Sequence, residues 1–249
     1  MSRRNTFFIP QTFAYTARTQ AFITATGISD ETILTALNNF DLSIIAGTFE
    51  NAIIAMRVFV GGTSSEQLVD FFANRNITFN GGWTYPNGAL PNGTNGFYQA
   101  NIIPLNDMVE SDYSYGFYFG NTSASNEFIG NYGGGAFFGM FKVGADLYIY
   151  SNTPVDIAPI TPSSHDGFHQ VTKYDLNNLK YKHTGEAIVT RAATPTVGMS
   201  ALEFTAGSAL GLYDEREVCL DYFTNRALTS TEMADMETIV QTLQTALGR

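Results

Sequence analysis

Hydrophobic residues recur along this chain with two different periods. Ile33, Leu37, Phe40 and Ile44 return every three or four positions, which places them on one side of a helix and predicts an amphipathic α-helix from about Asp30 to Ala46. Ser29 is its expected N-cap, with Asp30 and Glu31 in the first turn, where the positive end of the helix dipole favours carboxylates. A weaker helical pattern of Phe13, Ala17, Ala21 and Ala25 covers Thr12 to Thr26 and breaks at Gly27. Near the other end, Met233, Met236, Ile239, Val240, Leu243 and Leu247 make one stripe. A capping box of Thr229 and Glu232 opens that helix, and Gly248 stands where a C-terminal cap belongs. A stripe of this kind must lie on an apolar surface.

Between these helices the period shortens to two. Tyr113, Tyr115, Phe117 and Phe119 alternate strictly, so four aromatics share one face of a strand. Further short strands are expected at 51–60, from Ile77, and at 101–105, 127–132, 136–142, 147–151, 168–174, 179–182, 186–191, 198–204 and 217–223. His183-Thr184-Gly185 reads as a hairpin turn, Gly133-Gly134-Gly135 as a bend and Pro154 to Pro162 as a surface connector. Many short strands at this spacing predict an antiparallel β-sandwich or jelly roll. The stretch from Ile77 to Phe97 organises the chain: most helical pattern precedes it, and strands and turns follow it until the last helix. It holds the single tryptophan, Trp83, and three Asn-Gly pairs, at 80–81, 87–88 and 92–93, that mark tight turns.

Composition narrows the function. A net charge of −10, with only 13 scattered Lys and Arg, argues against a phosphate-binding surface, so no nucleic-acid partner is expected. The lone Cys219 rules out an internal disulfide and reads as a small core hydrophobe. Neither a signal-peptide run nor a window of about 18 apolar residues occurs, so we expect a soluble chain without membrane insertion.

Candidate chemistry is sparse. Trp83, Tyr85, Asn87, Tyr98 and Asn101 have the make-up of a carbohydrate site, an aromatic platform beside amides, although a tryptophan is more often a core residue. His165 and His169 are four apart, a zinc spacing on a helix, but Gly167 and the neighbouring Ser and Pro residues indicate a loop. Asp214, Glu215, Glu217 and Asp221 form the best acidic cluster, with Glu215, Glu217 and Asp221 on one strand parity, and a solvated strand edge accounts for them more simply than a glycosidase pair. No nucleophile elbow or phosphate loop is present. We therefore expect no enzyme activity, no cofactor and no metal.

Three stretches carry a family resemblance. They are AFITATGISDETILTALNNF (Ala21 to Phe40) with VFVGGTSSEQ (Val58 to Gln67), TFNGGWTYPNGALPNGTNGF (Thr78 to Phe97), and Tyr222 to Arg249, which runs through Asn225-Arg226-Ala227-Leu228-Thr229 into the last helix. In these the chain resembles bacteriophage and prophage structural proteins that end in a concanavalin A-like, laminin-G-like jelly roll. The resemblance implies a mainly β chain, with an N-terminal helical docking region over 1–75 and a β-sandwich with its C-terminal helix over 76–249. It also implies a non-enzymatic virion component, made in the host bacterial cytoplasm and displayed on the head or tail. The expected partners are other virion proteins and further copies of the chain, with a trimer as the oligomer suggested by the particle. The alternative is a receptor-binding adhesin that recognises host-surface glycans, with a glycoside hydrolase behind it.

Overall fold

A computed structural model describes residues 14–72, 75–121, 127–133, 136–143, 145–153, 160–193, 199–206, 208–209, 212–213 and 216–249. The start of the first helical pattern, Thr12 and Phe13, with Gly134-Gly135, most of the proline-containing connector, and the acids Asp214 and Glu215, lie outside the described residues. The helices are α1 (Ala17–Thr26), α2 (Glu31–Ala46), α3 (Ser64–Gln67), α4 (Pro104–Asp107) and α5 (Ser230–Ala246). The strands are β1 (Ile53–Val58), β2 (Thr78–Asn80), β3 (Trp83–Thr84), β4 (Leu90–Pro91), β5 (Phe97–Gln99), β6 (Tyr113–Asn121), β7 (Glu127–Gly133) and β8 (Ala136–Val143). They continue as β9 (Asp146–Thr153), β10 (Gly167–Lys173), β11 (Asn178–His183), β12 (Val189–Ala192), β13 (Thr205–Ala206), β14 (Ser208–Ala209), β15 (Leu212–Tyr213) and β16 (Glu217–Thr224).

The long helices form where caps and periodicity agree. Asp30, rather than the expected Ser29, caps α2: one of its carboxylate oxygens accepts from the backbone of both Thr32 and Ile33. Thr229 and Glu232 make the predicted reciprocal box at the start of α5, and Gly248 takes a left-handed φ of 77° after its end. No described helix is long and apolar enough to cross a membrane. Two expected strands are replaced. Asn101 adopts a positive φ of 53° and Pro104, which lacks an amide hydrogen, starts α4 within the predicted 101–105 strand. In place of the strand expected over 198–204, Leu202 donates to the Ser200 hydroxyl and the chain turns, and backbone pairing begins only at Phe204, whose carbonyl accepts from Ala100 and whose amide donates to Ile102.

Two six-stranded antiparallel sheets make the sandwich. The central sheet runs β1-β16-β6-β10-β11-β12 and the outer sheet β2-β5-β13-β7-β8-β9. β1 therefore carries a segment from the first 75 residues into the sandwich. The alternating aromatics of β6 all point between the sheets, where they are buried with Phe138, Phe204 and Phe223. Phe204 lies 5.7 Å from Phe117 and 5.0 Å from Phe223, centroid to centroid. A second core fills the opposite side of the central sheet. There Leu37, Phe40 and Ile44 of α2, and Met233, Met236, Val240 and Leu243 of α5, cover Met56, Leu220 and Tyr222. The molecule thus has three layers, and both faces of its central sheet are occupied.

An ion pair between neighbouring strands of the central sheet lies inside the inter-sheet core. Arg57 of β1 and Asp221 of β16, both 0% exposed, pair through Nε–Oδ1 at 2.7 Å and Nη2–Oδ2 at 2.9 Å. Arg57 also donates to the Ala100 carbonyl at 3.0 Å, and the Tyr98 hydroxyl of the outer sheet donates to Asp221 at 2.5 Å. Removing one member of such a pair leaves a buried charge without its counter-ion, whereas removing both eliminates that penalty. We predict that Asp221→Ala lowers stability by about 3–5 kcal/mol. The double change of Arg57→Met with Asp221→Leu should recover the larger part of that loss, read as the midpoint of urea unfolding.

Candidate functional site

The organising stretch folds as two loops pressed backbone to backbone. A β-carbon on Gly81 would lie 1.9 Å from the Asn95 carbonyl oxygen, and one on Gly96 would lie 2.4 Å from that of Gly82. Only glycine permits that approach. Gly81 and Gly93 have left-handed φ of 73° and 67°, as two of the Asn-Gly pairs require. The Asn92 side-chain oxygen accepts from the backbone amides of Thr94, Asn95 and Gly96, and Asn95 accepts from Gly82 at 3.0 Å. Between the loops, β3 and β4 pair Trp83 with Pro91.

The five residues of the expected sugar site do not converge. Trp83 is half-buried, 4.8 Å from Phe79 and 6.0 Å from Tyr98, and its indole N–H donates to the Asn80 carbonyl at 2.8 Å. Tyr85 packs 5.5 Å from the same Phe79. Tyr98 is completely buried, with its hydroxyl turned to Asp221 in the core. These three aromatics close one end of the inter-sheet core. Asn87 is exposed elsewhere, its backbone amide donating to Glu217 Oε1 at 2.9 Å, and Asn101 is exposed beyond the end of β5.

Asn101 belongs to a different arrangement. Since Tyr98 points inward, strand alternation turns Phe97 and Gln99 outward, with Asn80 opposite Phe97 and Thr205 opposite Gln99. Asn80 Nδ2 donates to Gln99 Oε1 at 3.3 Å, and Gln99 Nε2 donates to Glu203 Oε2 at 3.1 Å. The Asn101 amide donates to Glu203 Oε1 at 2.6 Å, and Arg75, paired with Asp107 at 2.7 Å, donates to the Asn101 carbonyl at 3.3 Å. The result is a ribbon of amides and carboxylates on the outer face of the outer sheet, with Phe97 beside it. Such a ribbon can exchange donors and acceptors with the hydroxyls of a sugar. Phe97, Gln99 and Asn101 could be read from strand alternation alone; Glu203 arrives from a distant segment, and nothing local announces it.

The other candidates are engaged. Asp221 is held in its buried pair, and Glu217 supports the turn at Asn87. Four residues along a strand place these acids about 13 Å apart, outside the range of a glycosidase pair. The shared parity expected for them is interrupted by register shifts on either side of Val218. Burial pushes the Cys219 thiol up to about 11, away from reactivity. Among the described residues no group of three or more His, Cys, Asp or Glu is arranged to hold a metal. His169 lies on strand β10, and its ring nitrogens meet the Tyr181 hydroxyl at 2.7 Å and the His165 carbonyl at 3.0 Å.

These histidines form a cluster at one end of the sandwich. The His169 and His183 rings lie 4.4 Å apart, centroid to centroid, with their planes tilted by 37°, and His183 Nε2 meets the Asp166 carbonyl at 2.9 Å, so both rings hold the 165–166 loop. Burial, then the neighbouring charges of Lys142 and Arg216, hold His165 down at about 4; burial, His183 and Arg216 keep His169 well below its ordinary value. Glu186, 3.3 Å from His183 Nδ1, is the carboxylate facing them. Because the folded values lie below the unfolded value of about 6.5, the unfolded chain binds more protons as pH falls. Stability is expected to be complete above pH 6.5 and to decline between about pH 6.5 and 4. Urea midpoints across that range should show it, and His169→Asn should flatten the decline.

No protein-family model matches the chain, and no curated protein matches its sequence. Solved structures do match in fold. Domain 4 of an extracellular arabinanase from Geobacillus stearothermophilus, in complex with arabinotriose, aligns with a TM-score of 0.54 at 14% identity, over 75% of this chain and 98% of that domain. A structure of botulinum neurotoxin type C, whose cell entry depends on interaction with two ganglioside molecules, aligns with a TM-score of 0.57 at 14% identity, over 79% of this chain and 52% of that one. A Trypanosoma rangeli sialidase mutant that displays trans-sialidase activity aligns with a TM-score of 0.54 at 12% identity, over 88% of this chain and 39% of the sialidase. This chain thus spans the arabinanase domain but about half or less of the other two. The chain is an antiparallel β-sandwich of the jelly-roll type, with helices layered on its central sheet.

Proposed function

We propose that the protein is a non-enzymatic glycan-recognition module carried on a bacteriophage particle. The observation that carries the glycan reading is the Asn80–Gln99–Glu203–Asn101 ribbon, on the sheet face that the helices leave uncovered. The fold adds support, because arabinotriose and gangliosides are named with two of its structural neighbours. The separation and engagement of Glu217 and Asp221 support a binding role over hydrolysis. The particle setting rests on the resemblance over Ala21 to Phe40, Val58 to Gln67, Thr78 to Phe97 and Tyr222 to Arg249. In that setting copies of the chain assemble with one another and with other virion proteins.

A glycan array of bacterial surface polysaccharides tests the first part. Wild-type protein is expected to bind, and Gln99→Ala or Glu203→Gln to weaken binding about tenfold or more, since each removes polar contacts worth about 1.4 kcal/mol or more. Trp83→Ala is expected to act through stability, lowering the unfolding midpoint, and a selective loss of binding there would move the site to the aromatic end. Release of reducing ends from any bound glycan, abolished by Glu217→Gln, would replace the binding reading with a hydrolase. Mass spectrometry of purified particles tests the setting, and absence of the chain from them would overturn it.

A further inference from the structure

The polar ribbon of the outer sheet is unbalanced in charge and in hydrogen-bonding capacity. Glu203 accepts from the Gln99 side-chain amide with one carboxylate oxygen and from the Asn101 backbone amide with the other, and each oxygen has a further lone pair to offer. Gln99 Oε1, which accepts from Asn80, likewise keeps an acceptor site. The positive charge of Arg75 is matched by Asp107 at 2.7 Å, and among the described residues no Lys or Arg pairs with Glu203. The ribbon is therefore negative, on a chain whose net charge is −10. A ligand that settles here must bring hydrogen-bond donors and no anion, because like charges brought together repel.

An aliphatic patch adjoins the ribbon. Leu202, immediately before Glu203, is 51% exposed, and Leu105 is 54% exposed. Their segments are tied together: Leu105 donates its amide to the Ser200 carbonyl at 3.0 Å, Leu202 to the Ser200 hydroxyl at 3.2 Å and Phe204 to the Ile102 carbonyl at 2.7 Å. A single exposed leucine is ordinary, but two tethered to one serine and bordered by polar groups make a contact surface. An N-acetyl group answers both halves of this arrangement. Its amide N–H donates to a carboxylate oxygen, and its methyl covers aliphatic surface without adding charge. A protonated amino sugar would satisfy Glu203 but press a hydrated ammonium toward the leucines, and an acidic sugar would set one carboxylate against another. We infer, resting on the glycan reading of the ribbon, that its ligand is an uncharged saccharide bearing an N-acetyl group whose methyl sits on Leu105 and Leu202.

Titration calorimetry with matched sugars tests this. N-acetylglucosamine, N-acetylgalactosamine and di-N-acetylchitobiose are compared with glucose, galactose and cellobiose, their hydroxyl analogues. Chitobiose without acetyl groups supplies a cationic control, and sialyllactose, which carries an N-acetyl group and a carboxylate, an anionic one. Wild-type protein is expected to bind at least one neutral N-acetylated sugar about tenfold or more tightly than its analogue. Leu105→Ser combined with Leu202→Ser should abolish that advantage at an unchanged melting temperature, since both side chains are exposed, whereas Gln99→Ala should weaken the N-acetylated sugar and its analogue alike. The inference is overturned, and the ribbon reading left standing, if binding that Gln99→Ala weakens goes to sialyllactose or chitobiose, shows no preference for the N-acetyl group, or keeps that preference in the double leucine variant. Binding that Gln99→Ala leaves intact would overturn both. If no sugar in the panel binds, the inference falls, and the polysaccharide array decides the ribbon reading separately.

Discussion

The buried ion pair between Arg57 and Asp221, held by one hydrogen bond and a close Nε–Oδ1 approach, is the constraint on which the rest of this structure depends. A guanidinium and a carboxylate without solvent exposure are tolerable only when each meets its partner in good geometry and the remaining polar atoms are also satisfied. Here the partners come from three strands: β1 and β16 in the central sheet, and Tyr98 of β5 in the outer sheet. Burial raises the Asp221 carboxyl, against the pull of Arg57 and the Tyr98 hydroxyl. A slip of one residue in the β1–β16 pairing would turn Arg57 toward the helices and strand Asp221 among phenylalanines. The contact therefore sets the register of the edge strand and the seating of one sheet on the other.

Layering follows from that seating. Since β1 belongs to the central sheet, the helices that flank it in sequence are delivered to the far side of that sheet, where α5 joins them over Met56, Leu220 and Tyr222. What remains are the rims and the outer sheet, and there the polar side chains are linked in chains of hydrogen bonds rather than gathered around one acid pair.

Much of the fold was legible wherever a local rule acted alone. The stripe of α5, the Thr229–Glu232 box and the four alternating aromatics of β6 each declare themselves within a few residues. Local signals failed where a competing group stood nearby or far away. Asp30 displaced Ser29 as a cap because its carboxylate reaches two amides, and Pro104 converted an apolar run into a helical turn. The set of Trp83, Tyr85, Asn87, Tyr98 and Asn101 was grouped by closeness along the chain, yet strand alternation sends Tyr98 inward and Asn101 outward. Glu203 and the Arg57–Asp221 pair are contacts across the chain, which no window of sequence contains.

The pairing of β1 with β16 has a consequence for how the chain is made. Arg57 and Asp221 are separated by 164 residues, and at about 5–20 residues per second a ribosome needs roughly 10 to 30 s to traverse that interval. Throughout it, an apolar strand bearing one cation has emerged without its neighbour. Because α2 packs chiefly on α5, which follows β16 in the chain, the helical layer over β1 is completed only after that neighbour has been made.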